Sequence, residues 1–110
     1  MEISYKQLLP NINTLIFDVD GVLTNGMVTI MPDGELVRHM SIKDGYALKT
    51  AVDQGFNICI ISGGNNEGVR TRLANLGIKD IYLGAHDKIK QYQELVHKYQ
   101  LQPENVLYMG

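Results

Sequence analysis

The sequence is short of several features that would each have marked a class of protein. Cysteine occurs once in 110 residues, so no internal disulfide forms and a bridge-stapled scaffold is excluded. That residue, Cys59, lies in the apolar run Ile58-Cys59-Ile60-Ile61, where a buried, reduced thiol fits the cytoplasm. No apolar run approaches the roughly 18 residues that a membrane span needs. The stretch Met1-Glu2-Ile3-Ser4-Tyr5-Lys6 has no basic start followed by apolar residues, and no secretion signal is expected. A formal charge of −2 supplies no basic field for a nucleic-acid backbone. His39, His86 and His97 are scattered and build no Cys/His cluster of the kind that holds zinc.

What is present is the composition of a globular domain. Hydrophobic residues make up 45% and charged residues 20%, which predicts one domain over 1–110 with a single core. Thr14-Leu15-Ile16-Phe17 is a short apolar run ending in Asp18, as a buried parallel strand would. Met27–Met31 and Leu36–Met40 are strand-like runs joined by Pro32-Asp33-Gly34, which predicts a β-hairpin over 27–40. Ala47, Leu48, Ala51 and Val52 recur with helical spacing between Asp44 and Gln54, and Gly55 stops that helix. The pattern then repeats. Strands are expected at Asn57–Ile61, Ile81–Leu83 and Val106–Met109, with helices marked by Val69, Leu73 and Leu76 and by Ile89, Tyr92, Val96 and Tyr99. Alternating strands and helices predict an α/β fold, a doubly wound parallel sheet with helices on both faces. Ligand sites of such sheets lie beyond the carboxyl ends of the strands. Asp18, Asp20, Ser62 and Lys88 each follow a strand.

Asp18-Val19-Asp20-Gly21 puts two carboxylates at a strand exit, where their repulsion calls for a proton or a cation. Magnesium, a hard cation with oxygen ligands, would resolve it; an Asx-type turn without chemistry is the plain alternative. A calcium loop fails, because Val22 and Thr29 stand where an EF-hand needs a polar ligand and a glutamate. Ser62-Gly63-Gly64 offers a hydroxyl and backbone N–H groups at a helix entrance, a phosphate cradle or simply a tight turn. Lys88 falls at a helix start, where the macrodipole disfavours a cation. Asp87 is the candidate cap, and a solvated surface lysine is the plain reading. Together, two aspartates, a hydroxyl and a lysine are the parts that move a phosphoryl group through an aspartyl-phosphate.

Those residues resemble a known family. Ile16-Phe17-Asp18-Val19-Asp20-Gly21-Val22-Leu23-Thr24 is similar to the first motif of haloacid dehalogenase-type phosphatases, Ile60-Ile61-Ser62-Gly63 to the second, and Lys88 stands at the lysine of the third. Asp44-Gly45-Tyr46 and Pro103-Glu104-Asn105-Val106-Leu107-Tyr108-Met109-Gly110 resemble the capless branch that acts on 3-deoxy-D-manno-octulosonate 8-phosphate in lipopolysaccharide synthesis. The resemblance implies a Rossmann-like core with the hairpin in place of a cap, and a magnesium-dependent cytoplasmic phosphatase. It implies Asp18 as nucleophile, Asp20 as acid and base, and Ser62 and Lys88 on the phosphoryl oxygens. Magnesium would be held by Asp18 and the Asp20 backbone carbonyl, and further substrate or phosphate contacts would come from Gly21, Gly63, Gly64 and Asp44. It also implies a homotetramer formed through the hairpin, packing of the hairpin on its own domain being the alternative.

Three departures bear on these expectations. The family's fourth motif, an acidic pair that adds a magnesium ligand, is expected immediately after Gly110, so the chain is expected to be truncated there. Gly64 stands where relatives handling this sugar often carry arginine, and Asn25 replaces a frequent aspartate. Phosphatases of nine-carbon sialic-acid-type sugars remain a neighbouring reading. A receiver-type signalling module also uses an acidic pair, a hydroxyl and a lysine, but carries its acceptor on the third strand, where Ile81-Tyr82-Leu83 runs into Gly84-Ala85. A third reading is an inactive fragment or scaffold, should the protein end at Gly110.

Overall fold

Four short apolar runs assemble into one parallel sheet. The structure is a computed structural model describing residues 11–110; the secretion-signal reading at residues 1–6 lies outside the described residues. The strands are β1 (Thr14–Phe17), β4 (Asn57–Ile61), β5 (Asp80–Tyr82) and β6 (Val106–Met109), in the order β5-β4-β1-β6. β1 lies between β4 and β6, with Phe17 opposite Ile60 on one side and Met109 on the other. Asp18 therefore leaves the sheet near its middle.

The helices are α1 (Ile42–Asp53), α2 (Glu67–Asn75) and α3 (Lys88–Tyr99). They divide between the two faces because successive strand residues point opposite ways. On one face Phe17, Ile58 and Ile60 pack with Leu48 of α1 and Val69, Leu73 and Leu76 at α2. On the other, Ile16, Cys59 and Ile61 pack with Leu95 of α3 and with Leu101. The expected single core is thus two, one on each side of the sheet. This two-sided burial explains why the strands read as continuous apolar runs. Cys59 is fully buried, and loss of hydration pushes its thiol up to about 12. The thiol stays protonated and inert at neutral pH.

Helix boundaries follow local chemistry that periodicity alone missed. The Ser41 hydroxyl accepts the Asp44 N–H at 3.3 Å, which starts α1 at Ile42, two residues before the expected Asp44. Asn66 caps α2 by accepting the Val69 N–H at 3.0 Å. Asp87 occupies the cap position of α3 but makes no side-chain cap bond, against expectation. A short 3₁₀ turn, Pro103–Asn105, precedes β6, because proline favours the first position of a helical turn.

The hairpin forms, but it is much shorter than the sequence suggests. Its ladder is confined to β2 (Thr29–Ile30) and β3 (Leu36–Val37), with Thr29 opposite Val37, instead of spanning Met27–Met31 and Leu36–Met40. An isolated bridge from Thr24 to Met40 closes its base. Between the strands, Met31 N–H donates to the Glu35 carbonyl at 2.8 Å and Gly34 N–H to the Met31 carbonyl at 2.9 Å. Strands on a two-stranded ribbon have little to pack against, so their ends do not stay in register. Met27 and Ile30 are 69% and 73% exposed.

Candidate active site

Asp18 continues β1, its N–H donating to the Met109 carbonyl of β6 at 2.9 Å. Beyond it the chain folds into a tight turn in which the Val19 carbonyl accepts three N–H groups, those of Val22, Leu23 and Thr24. Gly21 sits in that turn at a φ of +81°, a conformation side chains resist. The buried Thr24 hydroxyl accepts from both Gly21 and Gly26 N–H at 3.2 Å. The turn presents the Asp18 and Asp20 side chains at the carboxyl end of the sheet. Asn25 acts locally, its Oδ1 accepting the Met27 N–H at 3.0 Å.

Lys88, the first residue of α3, reaches across the sheet end. Its Nζ donates to Asp18 Oδ2 at 2.5 Å, and the Val19 N–H donates to Asp18 Oδ1 at 2.7 Å. The carboxylate is therefore gripped at both oxygens. The hydrogen bond to Asp18 is the main reason the Lys88 ammonium is held above its usual range; burial opposes it. Ser62 directly follows β4 in a buried position. Its N–H donates to the Tyr82 carbonyl at 2.8 Å, its carbonyl accepts from Ala85 N–H at 2.9 Å, and its hydroxyl accepts from Gly64 N–H at 3.3 Å. Gly63 has only the Ala85 carbonyl near its bare Cα, 3.9 Å from where a Cβ would lie.

Asp18 and Lys88 are thus in contact, while Asp20, Ser62 and Gly64 line one shared hollow beside them. Asp44 is not in that group: it lines a separate hollow with Leu15, Phe17, Leu48 and Met109 on the α1 side. One residue of the site had no sequence signal. Arg38, just past β3, donates from Nε to Asp20 Oδ1 at 2.7 Å and from Nη2 to Asp20 Oδ2 at 3.2 Å. Nothing in the local pattern of a hairpin strand separates such an arginine from a solvated one.

Among the described residues no three His, Cys, Asp or Glu side chains gather to hold a metal. The donors available beside Asp18 are its carboxylate and the Asp20 carbonyl, which takes no part in the turn's backbone hydrogen bonds among the described residues. Magnesium binds through one or two carboxylates and keeps several waters, and this all-oxygen donor set fits it.

No family model matches the chain. The chain is 37% identical over 100 residues to 3-deoxy-D-manno-octulosonate 8-phosphate phosphatase KdsC of Escherichia coli (strain K12), covering 91% of this chain and 53% of that protein. A Legionella pneumophila structure, provisionally described as a hydrolase of the haloacid dehalogenase (HAD) superfamily, subfamily III A, superposes with a TM-score of 0.89 at 35% identity, covering 99% of this chain and 62% of the other. The chain belongs to the haloacid dehalogenase superfamily. A further HAD relative is the 3-deoxy-D-manno-octulosonate 8-phosphate phosphatase of Moraxella catarrhalis, solved with magnesium, phosphate and the sugar acid. It aligns with a TM-score of 0.88 at 28% identity, over 94% of this chain and 60% of that one. The chain spans about half the length of the curated relatives it matches. The HAD assignment accounts for the α/β sheet and its central first strand. No described helix is long and apolar enough to cross a membrane.

Proposed function

We propose that this chain carries the nucleophile and phosphate-gripping part of a magnesium-dependent phosphatase of small acidic sugar phosphates, with 3-deoxy-D-manno-octulosonate 8-phosphate as the substrate class. The observation that carries the reading is the 2.5 Å contact between Lys88 Nζ and Asp18 Oδ2, made across 70 positions of sequence at the carboxyl end of the sheet. One phosphoryl group can touch both. The Escherichia coli and Moraxella catarrhalis relatives, named for this activity, support the choice of sugar.

In the first half-reaction an Asp18 carboxylate oxygen attacks phosphorus, and the bond from phosphorus to the sugar oxygen breaks. Protonated Asp20 gives its proton to the departing oxygen. In the second, Asp20 takes a proton from water, the water oxygen bonds to phosphorus, and the Asp18–phosphorus bond breaks to release phosphate. Lys88 and the Ser62 hydroxyl bind the phosphoryl oxygens throughout, with Gly63 and Gly64 close by. Asp18 and the Asp20 carbonyl would hold magnesium, which when bound would supply positive charge that lets a carboxylate approach an anionic ester. The single buried, reduced thiol of Cys59 supports a cytoplasmic setting for the reaction. The test is phosphate release from a panel holding the eight-carbon ulosonate phosphate, nine-carbon sialic-acid-type 9-phosphates and neutral sugar phosphates. The expected result is turnover of an acidic sugar that a chelator abolishes and magnesium restores. Turnover indifferent to the chelator would sink the proposal.

We also infer that the hairpin packs against other copies of the chain to make a tetramer. Met27, Val28, Ile30, Met31, Leu36 and Val37 are all exposed, and a contiguous apolar ribbon of this kind is costly in water. Light scattering is expected to give four times the protomer mass; a monomer rules the tetramer out.

A further inference from the structure

We propose that Arg38 selects the acidic substrate, its guanidinium gripping the sugar's carboxylate in the hollow beside Asp20. The inference deepens the phosphatase reading and rests on it. Among the described residues Arg38 is the one cation lining a hollow of about 430 Å³ bounded by Asp33, Gly34, Glu35, Leu36, Gly64, Asn65 and Asn66. Its size is that of a small-ligand site, and two of its lining residues, Arg38 and Gly64, adjoin the Asp20 carboxylate. Arg38, Gly64 and Asn66 also line the small hollow that holds Asp20 and Ser62.

Its placement is built, not incidental. The side chain is 11% exposed, while that of its partner Asp20 is 42% exposed. The segment carrying it is pinned to the start of α2, because Asn66 Nδ2 donates to the Leu36 carbonyl at 3.1 Å while Asn66 Oδ1 caps that helix. Gly64 leaves the space the guanidinium occupies. A Cβ there would stand 3.2 Å from Arg38 Nη2 and 3.5 Å from Asp20 Oδ2, so any side chain at 64 would crowd the pair.

The guanidinium is also only partly used. Nε and Nη2 are taken by Asp20, whereas Nη1 donates to no protein group among the described residues. A planar fork with free donors at the edge of a polar hollow matches a carboxylate in shape and charge. The other charged groups lining that hollow, Asp33 and Glu35, are acids on the β2–β3 turn. They repel an anion placed near them, which leaves Arg38 as the point where a substrate carboxylate is attracted.

The experiment compares wild type, Arg38→Ala and Arg38→Lys in two assays. In the first, kcat/KM is measured for the ulosonate phosphate and for the neutral ribose 5-phosphate. Arg38→Ala is expected to shrink the ratio of the two by about ten- to a hundredfold, the worth of hydrogen bonds to a charged group. Arg38→Lys should restore part of the ratio, because it keeps the charge and loses the fork. Equal losses on both substrates would mean that Arg38 only holds Asp20 in place, and would overturn the proposal. In the second, calorimetry follows binding of the free ulosonate, which carries no phosphate. Affinity should fall at least about tenfold in Arg38→Ala; an unchanged affinity, or no binding by wild type, overturns the proposal. Because that assay needs no turnover, absence of any hydrolysis in the first assay condemns the phosphatase reading alone and leaves Arg38 decided by binding.

Discussion

Asp18→Asn is expected to lower kcat/KM for phosphate release by about 10⁴–10⁶-fold, the scale seen when a covalent nucleophile is removed. The amide is nearly isosteric and keeps an oxygen to accept the Val19 N–H, now held at 2.7 Å by the carboxylate. What it lacks is the electron pair and charge that attack phosphorus. The Lys88 ammonium would lose its partner, but at 37% side-chain exposure water replaces that contact. Stability should change by no more than about 1 kcal/mol, as for other partly exposed pairs. The measurement is phosphate release beside a urea melt, together with intact-mass detection of the 80 Da phosphoryl adduct expected by chemistry in wild type alone. A variant that keeps more than about a hundredth of wild-type activity would remove Asp18 from the nucleophile's place.

The second large effect is a split between activity and stability. Lys88→Met should cost about 10²–10³ in kcat, the usual loss when one preorganised electrostatic donor is removed from a reacting centre. Its stability should change by no more than about 1 kcal/mol, because loss of the pair with Asp18 and relief of the helix dipole oppose each other. Lys88 opens α3, where the helix dipole is worth about 0.3–1 kcal/mol against a cation, and methionine keeps the length of the side chain without the charge. The pH sign is definite. Asp18 raises the Lys88 pKa above its unfolded value, so the pair's contribution is complete below the unfolded value and fades as pH rises through the folded one. At neutral pH the ammonium is present, and the comparison of wild type and variant should be made there by steady-state kinetics and thermal melting. Parallel losses of activity and melting temperature would make Lys88 a structural residue and count against its role on the phosphoryl group.

Much of the fold was legible because its signals are local. Thr14–Phe17 and Asn57–Ile61 are buried on both faces, so they appear as unbroken apolar runs, and the structure returns both with those bounds. β6 likewise spans Val106–Met109. Errors fell where a boundary hangs on one hydrogen bond. α1 begins at Ile42 because the Ser41 hydroxyl takes the Asp44 N–H; a search for apolar spacing passes over that serine. The hairpin strands were overextended because exposed Met27, Val28 and Met31 fit a strand's composition without having a sheet to hold them.

The sequence by itself marked the candidate residues. An aspartate at the end of an apolar strand, a serine at the end of the next and a lysine opening a helix are all consequences of short-range pattern, and they mark the carboxyl end of the sheet. Only the tertiary structure decided which of them meet. Lys88 lies on Asp18, Arg38 lies on Asp20, and Asp44 looks into a different hollow. These pairings span 70 and 18 positions. They depend on β1 lying between β4 and β6 and on Asn66 tethering the hairpin's second strand, and long-range packing of that kind leaves no periodicity in the chain.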